Sequence, residues 1–243
     1  MLISNLRTSI KVIFEDESIM IIEKPAGLPV YPAEGGKEET VVGQLGSLIP
    51  LIPPLEKGDE PVHRLDNDTS GLLLIAKSET SFANLRKQFD DKKVMKKYTA
   101  LVMGETPKNG IIETPIIHDP KRANRMRVFS QGCGTKAKPQ EAYTSFKTIK
   151  KYAGGQYSLL EIAIKTGVRH KIRVHLSSIG YPLVGDHLYQ NSRNRKLDSS
   201  GLKRQFLHAS TLGFHHPVSG KWVEFTSQLP QDLQNVLTKL EKI

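Results

Sequence analysis

The sequence predicts an α+β protein with a mixed, largely antiparallel central sheet and flanking helices and loops. Strand-like runs, which are rich in β-branched residues or alternate between apolar and polar ones, outnumber helix-like runs along the 243 residues. Most neighbouring runs are joined by short turns rather than by helical crossovers, which favours antiparallel pairing. Hydrophobic residues make up 38% of the chain and charged residues 25%, which is typical of a globular protein with a buried core.

The N-terminal third predicts three strands, one irregular loop and one helix. Residues 11–15 and 18–24 are β-branched runs separated by a turn. Residues 24–32 contain three prolines and a glycine, which exclude regular structure. The near-continuous apolar run at 71–77 predicts a buried strand, and residues 79–89 predict a helix because large apolar side chains recur at helical spacing.

The rest of the chain alternates strands with two helices. Strands are predicted at residues 94–103, 110–117, 142–150, 156–165, 206–214 and 222–225. Residues 168–179 predict a helix that Gly180 and Pro182 end, and residues 191–204 predict a polar loop. Residues 230–243 predict a terminal helix whose stripe of leucine and valine packs into the core.

The charge balance points to a polyanionic partner. Lysine and arginine number 35 against 25 aspartates and glutamates, which gives a formal net charge of +10. Charge alone does not distinguish RNA, DNA, an acidic protein and a membrane surface. No apolar run approaches the ~20 residues that cross a bilayer, and we expect a cytoplasmic protein that does not contact membranes.

The composition also argues against several classes of site. Cys133 is the only cysteine, so an internal disulfide framework is excluded. The histidines show no metal-binding spacing, and neither a dinucleotide-binding glycine motif nor a phosphate-binding loop is present. We therefore expect no metal site.

The first polar cluster precedes the apolar run at 71–77. It contains His63, Arg64, Asp66, Asp68, Thr69 and Ser70. A polar cluster that leads into a buried strand lies at a sheet end, where the strand fixes its position beside a cleft. The alternative is a solvated turn in which an aspartate binds nearby backbone amides.

The second cluster lies at the start of the predicted helix at 168–179. It includes Arg169, Lys171 and Arg173. The helix dipole disfavours cations there, so the cluster predicts an anionic partner, either phosphate or carboxylate. The alternative is that all three are simply solvated, since each dipole penalty is below about 1 kcal/mol.

Two further basic segments favour nucleic acid. Residues 92–97 contain four lysines and run into Tyr98, so phosphate neutralisation and base stacking are available together. Residues 121–127 add four cations within 118–138, a segment of little periodicity that we interpret as a basic flap or insertion. Taken alone, residues 92–98 are compatible with a solvated lysine-rich turn followed by a half-buried strand tyrosine. Residues 121–127 are equally compatible with a disordered basic loop.

Four blocks of the sequence stand out as motifs. Residues 63–71 read HRLDNDTSG, residues 97–102 read KYTALV, and two longer blocks lie at residues 13–28 and 166–186. Together they resemble the RluA family of RNA pseudouridine synthases. HRLDNDTSG is similar to the family's HRLDxxTSG signature and KYTALV to its tyrosine motif, while residues 13–28 and 166–186 resemble its first and third motifs. The blocks occur in the family's order and span most of the chain.

The resemblance implies a cofactor-independent isomerase that converts uridine to pseudouridine in ribosomal or transfer RNA, with a catalytic cleft across the sheet. It places Asp66 as the catalytic carboxylate, Tyr98 beside the target base and Arg173 as the partner of the aspartate. Arg64 would help to hold the base out of the RNA stack. The residues expected to bind RNA are His63, Arg64, Thr69, Lys97, Arg169 and Lys171.

The chain departs from the family pattern in two respects. The third motif usually reads TGRTHQIR, and here Val168, Arg169 and Lys171 replace three of its residues. Many relatives carry an N-terminal S4 RNA-binding domain, which we expect to be absent because the first motif begins near residue 10. Residues 1–243 would then form a single catalytic domain that acts as a monomer without an obligate protein partner.

Two other functions remain open at this point. An RNA-binding protein or RNA chaperone that no longer catalyses would share the basic surface. A retaining glycosidase would use Asp66 and Asp68 as paired carboxylates, roughly 6–7 Å apart if the segment is extended. The basic charge and the single tryptophan argue against the glycosidase.

Overall fold

A computed structural model describes residues 10–32, 39–46, 62–122, 124–131 and 138–242. The chain divides into two compact units. Unit 1 comprises Met1–Val94 and Gly213–Ser227, and unit 2 comprises Met95–Leu212 and Gln228–Ile243. Cys133 and part of the proposed flap lie outside the described residues.

The described residues contain eleven strands and five α-helices. The strands are β1 (Lys11–Glu15), β2 (Ile19–Lys24), β3 (Ser70–Ala76), β4 (Met95–Met103), β5 (Asn109–Ile112), β6 (Ile116–His118), β7 (Met126–Val128), β8 (Thr144–Tyr152), β9 (Tyr157–Ile164), β10 (Leu207–His215) and β11 (Trp222–Thr226). The helices are α1 (Val41–Gly46), α2 (Glu79–Asp90), α3 (Lys171–Ser178), α4 (Ser192–Leu197) and α5 (Gln231–Leu240). None of these helices is long and apolar enough to cross a bilayer.

Unit 1 is built on antiparallel strands in the order β1-β2-β3. Ile22 lies opposite Leu73, and Lys24 lies opposite Gly71. Every residue of β3 is buried, which confirms the strand predicted from the apolar run. Helix α2 begins at the Ser78 N-cap, whose hydroxyl accepts the Ser81 amide.

Unit 2 contains strands in the order β10-β4-β9-β8-β5, with β6 and β7 in a separate hairpin. The described pairings β4–β9, β8–β9 and β5–β8 are antiparallel. Helix α5 buries Leu233, Val236 and Leu240 in a core cluster with Leu101 and Tyr157, as its apolar stripe predicts. The mixed, largely antiparallel α+β class is confirmed.

Four local predictions differ from the structure. The predicted strand at 110–117 is two strands, β5 and β6, with Pro115 between them, because proline cannot donate to a continuous ladder. The basic segment after residue 117 begins as the β6–β7 hairpin, and the polar loop at 191–204 contains α4. Helix α3 begins at Lys171, three residues later than predicted.

The late start of α3 arises at His170. This residue has φ 55° and ψ 13°, a left-handed conformation that a helix does not contain. Arg169 therefore lies in a turn before the helix. Its spacing of four residues from Arg173 predicts a shared helix face, but the two residues do not share one because only Arg173 is in the helix.

Candidate active site

Asp66 lies in the loop that leads into β3. It is half-buried, and its carbonyl oxygen accepts the backbone N–H of Thr69 at 3.0 Å. This bond closes a tight turn, on which Asn67 and Asp68 are exposed. Because every residue of β3 is buried, the strand anchors the loop at its C-terminal end.

Lys24 binds the same loop from inside unit 1. It is fully buried, and its ammonium donates to the carbonyl oxygens of Pro25, Leu28 and Asn67 at 2.8, 2.8 and 2.7 Å. The Asn67 carbonyl also accepts the N–H of Gly27 at 3.0 Å. Gly27 has φ 83°, a conformation that favours glycine. The proline-rich loop and the Asp66 loop are thus held together around one ammonium group.

We expect Lys24→Met to lower the free energy of unfolding by about 3 kcal/mol, because three carbonyl groups lose a charged donor. Urea unfolding followed by circular dichroism measures the change. Lys11→Met is the matched control in the neighbouring strand. Its side chain is 72% exposed and 3.4 Å from Glu23, so we expect a loss below about 1 kcal/mol. Equal losses in the two variants would contradict this account of Lys24.

Arg64 is exposed, and its charge acts on the Tyr31 side chain. Burial raises the pKa of Tyr31 to about 12, and the positive charge of Arg64 acts in the opposite direction. Arg64 therefore presents its charge at the surface, two residues before Asp66.

His63 and Thr69 make contacts inside unit 1. The His63 Nε2 accepts the backbone N–H of Leu74 in β3 at 2.8 Å, which places the ring proton on Nδ1. The His63 ring stacks on Phe89, with ring centroids 5.0 Å apart. Thr69 is 2% exposed. His63 thus connects the residues before Asp66 to β3 and to α2.

Strand β4 places Lys96 and Tyr98 on one face and Lys97 on the other, because side chains alternate along a strand. Tyr98 is buried and lies opposite Ile162 of β9. Lys97 is partly exposed, and its ammonium lies 3.4 Å from the Glu161 carboxylate. The lysine that shares a face with Tyr98 is therefore Lys96, which the sequence reasoning did not single out.

Arg173 of α3 forms a buried bidentate pair with Asp186. Its Nε donates to Oδ2 at 2.7 Å and its Nη2 donates to Oδ1 at 2.8 Å. The Asp186 side chain is fully buried, and its Oδ1 also accepts the backbone N–H groups of Leu188 and Tyr189. The carboxylate that the cationic helix start predicts is thus present for Arg173. The sequence reasoning did not assign this role to Asp186.

Gly185 allows the backbone before Asp186 to pass close to the backbone of Arg204. It has φ 72°, and a Cβ atom there would lie 2.0 Å from the carbonyl oxygen of Arg204. Its N–H donates to Asp198 at 2.8 Å. No side chain fits at this position, so glycine is required for the loop that presents Asp186.

Lys171 is the first residue of α3 and is 3% exposed. Its Nζ donates to the Thr166 carbonyl oxygen, and to the Thr166 hydroxyl at 2.7 Å. Burial, with a smaller contribution from the Lys96 charge, lowers the pKa of Lys171 to about 6. Burial alone lowers the pKa of Lys96 to about 8. Arg169, in the preceding turn, is exposed.

We expect Lys171→Gln to stabilise the protein most at low pH. A lysine with a lowered pKa takes up a proton on unfolding between about pH 6 and its unfolded pKa of about 10.4. Its contribution to stability therefore falls as the pH falls through that window, by up to about 1.4 kcal/mol per unit. Glutamine does not titrate, so the variant lacks this pH-dependent loss of stability. The difference in free energy of unfolding between the variant and the wild type should therefore widen from pH 9 to pH 6.

Urea unfolding at several pH values measures this gap. Lys165→Gln is the matched control, because Lys165 is exposed in the same unit. We expect a constant offset for the control, and a constant offset for Lys171→Gln as well would contradict the buried, proton-poor state of Lys171.

The predicted site residues are distributed over both units. His63, Arg64, Asp66 and Thr69 belong to unit 1, and Lys97, Tyr98, Arg169, Lys171 and Arg173 belong to unit 2. Within unit 2 the structure places Lys96 close enough for its charge to lower the pKa of Lys171, and it pairs Arg173 with Asp186. Among the described residues, no group of histidine, cysteine, aspartate or glutamate could hold a metal ion.

Comparison with known proteins relates this chain to RNA pseudouridine synthases. A family model described as RNA pseudouridylate synthase matches residues 18–178. An uncharacterized RNA pseudouridine synthase from Chloroflexus aurantiacus is 43% identical over 222 residues, which cover 90% of this chain and 65% of the relative. A ribosomal large subunit pseudouridine synthase D from Zymomonas mobilis is 37% identical over 233 residues, covering 93% of this chain and 71% of the relative. The chain thus spans about two thirds of the length of these relatives.

Solved structures show the same fold. The human RNA pseudouridylate synthase domain containing 4 superposes with a TM-score of 0.72 at 23% identity, covering 95% of this chain and 92% of that one. The human RNA pseudouridylate synthase domain containing 1 superposes with a TM-score of 0.71 at 24% identity, covering 97% and 96%.

Proposed function

This chain belongs to the RNA pseudouridylate synthase family, and we propose that it converts specific uridines in ribosomal RNA to pseudouridine with Asp66 as the catalytic carboxylate. The observation that carries the proposal is the family match over residues 18–178, which includes Asp66, Tyr98 and Arg173. The anchored loop around Asp66 supports it, because a catalytic group must be held in a fixed position.

The reaction is an isomerisation whose atoms balance within the substrate. The bond between N1 of uracil and C1′ of the sugar breaks, the uracil turns, and a bond from C5 to C1′ forms. The C5 proton leaves, and N1 gains a proton. No oxidant, reductant or hydrolytic water takes part. An ionised carboxylate can attack C1′, remove a sugar proton or add to the base, and the proposal holds for each of these routes.

Tyr98 and Arg173 are the proposed partners of Asp66. The Tyr98 ring can stack on the uracil, and its hydroxyl can assist removal of the C5 proton. The Arg173 guanidinium stays protonated and favours the ionised form of a neighbouring carboxylate.

The proposed RNA contacts divide by exposure. Arg64, Lys97 and Arg169 carry charge at the surface, where they can neutralise phosphates, and Arg64 can occupy the space of a flipped base. His63, Thr69 and Lys171 have contacts within the protein, and we propose that they support the site rather than contact phosphates. The basic flap is proposed as a further phosphate-binding segment.

Ribosomal RNA is the proposed substrate because several relatives carry the name ribosomal large subunit pseudouridine synthase D. The net charge of +10 suits a large polyanion. Such a substrate would place the reaction in the cytoplasm, and the proposed monomer needs no protein partner for the chemistry.

Release of tritium from RNA labelled at C5 of uridine tests the substrate class. We expect release from unmodified transcripts of large-subunit ribosomal RNA and little from unmodified transfer RNA. The reverse preference would contradict ribosomal RNA as the substrate while leaving the chemistry intact. Absence of release from both would contradict the proposed activity.

A further inference from the structure

Tyr189 lies at the centre of a network inside unit 2. It is 5% exposed and belongs to a core cluster with Ile116, Met126, Ala142 and Val174. Two guanidinium groups lie over its ring: the Arg173 carbon is 5.1 Å from the ring centroid and the Arg125 carbon is 5.3 Å away. One aromatic ring therefore contacts the proposed partner of Asp66 and an arginine of the β6–β7 hairpin.

The Tyr189 hydroxyl also joins the hairpin to the start of α3. It accepts the backbone N–H of Met126 in β7 at 2.9 Å and lies 2.8 Å from Nδ1 of His170. Because the hydroxyl oxygen accepts from Met126, its own proton can be donated to Nδ1. A single hydroxyl group thus fixes the distance between the hairpin and the residue before α3.

His170 links this contact to Arg173. Its left-handed backbone conformation sets the first turn of α3, and its carbonyl oxygen accepts the Val174 N–H at 2.9 Å. A non-glycine residue in this conformation persists where the surroundings hold it. The His170 ring packs edge-on against Tyr189, with centroids 5.7 Å apart.

The carboxylate that binds Arg173 is connected to Tyr189 through the backbone. Asp186 Oδ1 accepts the Tyr189 N–H at 3.2 Å, in addition to its bond with Arg173. The Tyr189 carbonyl accepts the Ser177 hydroxyl of α3 at 3.0 Å. The ring of Tyr189 thus contacts the Arg173 guanidinium directly. Its backbone and its hydroxyl contact Asp186, α3 and His170, which position that guanidinium.

The hairpin is the basic part of this network. Lys121 and Arg122 are exposed at its turn, where Asp119 accepts the Arg122 N–H at 3.1 Å. Phosphates are the natural ligands of exposed cations on such a turn. The hairpin contacts Tyr189 through the Met126 N–H of β7 and through the Arg125 guanidinium.

We propose that Tyr189 is a positioning residue that couples RNA contact at the β6–β7 hairpin to the orientation of the Arg173 guanidinium. The inference rests on the proposed function, in which Arg173 is the catalytic partner of Asp66. RNA bound to the hairpin would hold β7, and Tyr189 would transmit that constraint to α3 and Arg173. The chemistry would then be fastest when the hairpin is engaged.

Tyr189→Phe tests the coupling through the hydroxyl while the ring stays in place. We expect kcat to fall about tenfold, with KM and the dissociation constant for RNA little changed. Tyr157→Phe is the matched control. The Tyr157 hydroxyl is likewise hydrogen-bonded, to Ser199 and Leu197, in the same unit. We expect Tyr157→Phe to lower the free energy of unfolding without lowering kcat. Equal values of kcat in Tyr157→Phe and Tyr189→Phe would overturn the proposal.

Arg125→Gln provides a second variant at a half-exposed position, in case Tyr189→Phe folds poorly. It removes the cation over the ring and one hairpin charge. Arg122→Gln removes one hairpin charge only, so it measures the effect of charge on RNA affinity. We expect both to weaken RNA binding, with an additional loss of kcat in Arg125→Gln. The same loss of kcat in both would overturn the role of the ring.

A measurement without turnover separates this inference from the proposed function. The Arg173 Nε–H resonance, assigned by its absence in Arg173→Lys, reports the guanidinium environment. On addition of a short uridine-containing RNA stem-loop, the resonance should shift in the wild type and not in Tyr189→Phe. Equal shifts in both proteins, or none in the wild type, would overturn the coupling. Absence of pseudouridine in the wild type would overturn the proposed function instead.

Discussion

Asp66→Asn is expected to abolish pseudouridine formation, lowering the rate by more than about a thousandfold. The substitution keeps the size and hydrogen-bonding shape of the side chain but removes the negative charge that each route through Asp66 requires. RNA affinity should not fall, because the variant loses a charge that repels phosphate. Tritium release and filter binding measure the two quantities on the same preparation.

Asp68→Asn is the matched control for this experiment. Asp68 is exposed in the same loop, two residues further on, and undergoes the same change of charge. We expect a rate close to that of the wild type. Loss of activity in Asp68→Asn together with retention in Asp66→Asn would transfer the catalytic role to Asp68. Equal partial losses would indicate an effect of loop charge alone.

Asp186→Ala is expected to have the largest effect on stability, about 3–5 kcal/mol. It removes the carboxylate that binds the Arg173 guanidinium through two hydrogen bonds and accepts two backbone amides. Asp186→Asn should be intermediate, since Oδ1 can still accept the amides. Urea unfolding measures both losses, and they should persist at high salt because the pair is buried.

The double variant Arg173→Leu/Asp186→Leu separates the buried pair from its surroundings. Replacing both charges by apolar groups avoids leaving a guanidinium buried without this carboxylate. We therefore expect the double variant to be more stable than Asp186→Ala. A double variant less stable than the single one would show that the cost arises from packing around Asp186 rather than from its charge.

The strands and helices that the sequence predicts well are those specified by a pattern of neighbouring residues. The apolar run before Lys77 produces a fully buried β3, and the leucine and valine stripe of α5 packs into a core. The β6–β7 hairpin has three residues in each strand, and the residue that binds it, Tyr189, lies 63 positions beyond Met126. No local pattern contains that information.

In the candidate site, too, some residues can be predicted from their neighbours in sequence and others cannot. The polar cluster before β3 identifies the position of Asp66, because the transition from polar to apolar residues is local. The roles of Lys24 and Asp186 depend on contacts across 43 and 13 residues of chain. Lysine at the end of a strand and aspartate in a loop are ordinarily exposed, so their burial could not be inferred from their type. Strand alternation in β4 could have distinguished Lys96 from Lys97.

Nucleoside mass spectrometry measures the proposed isomerisation of uridine by this chain. Unmodified large-subunit ribosomal RNA is incubated with the wild-type protein and with Asp66→Asn, digested, and separated. We expect pseudouridine at defined sites with the wild type only, an equal loss of uridine, and no free uracil. Free uracil would indicate a glycosidase, and unchanged uridine despite RNA binding would indicate a binding protein; either result would rule out a pseudouridine synthase.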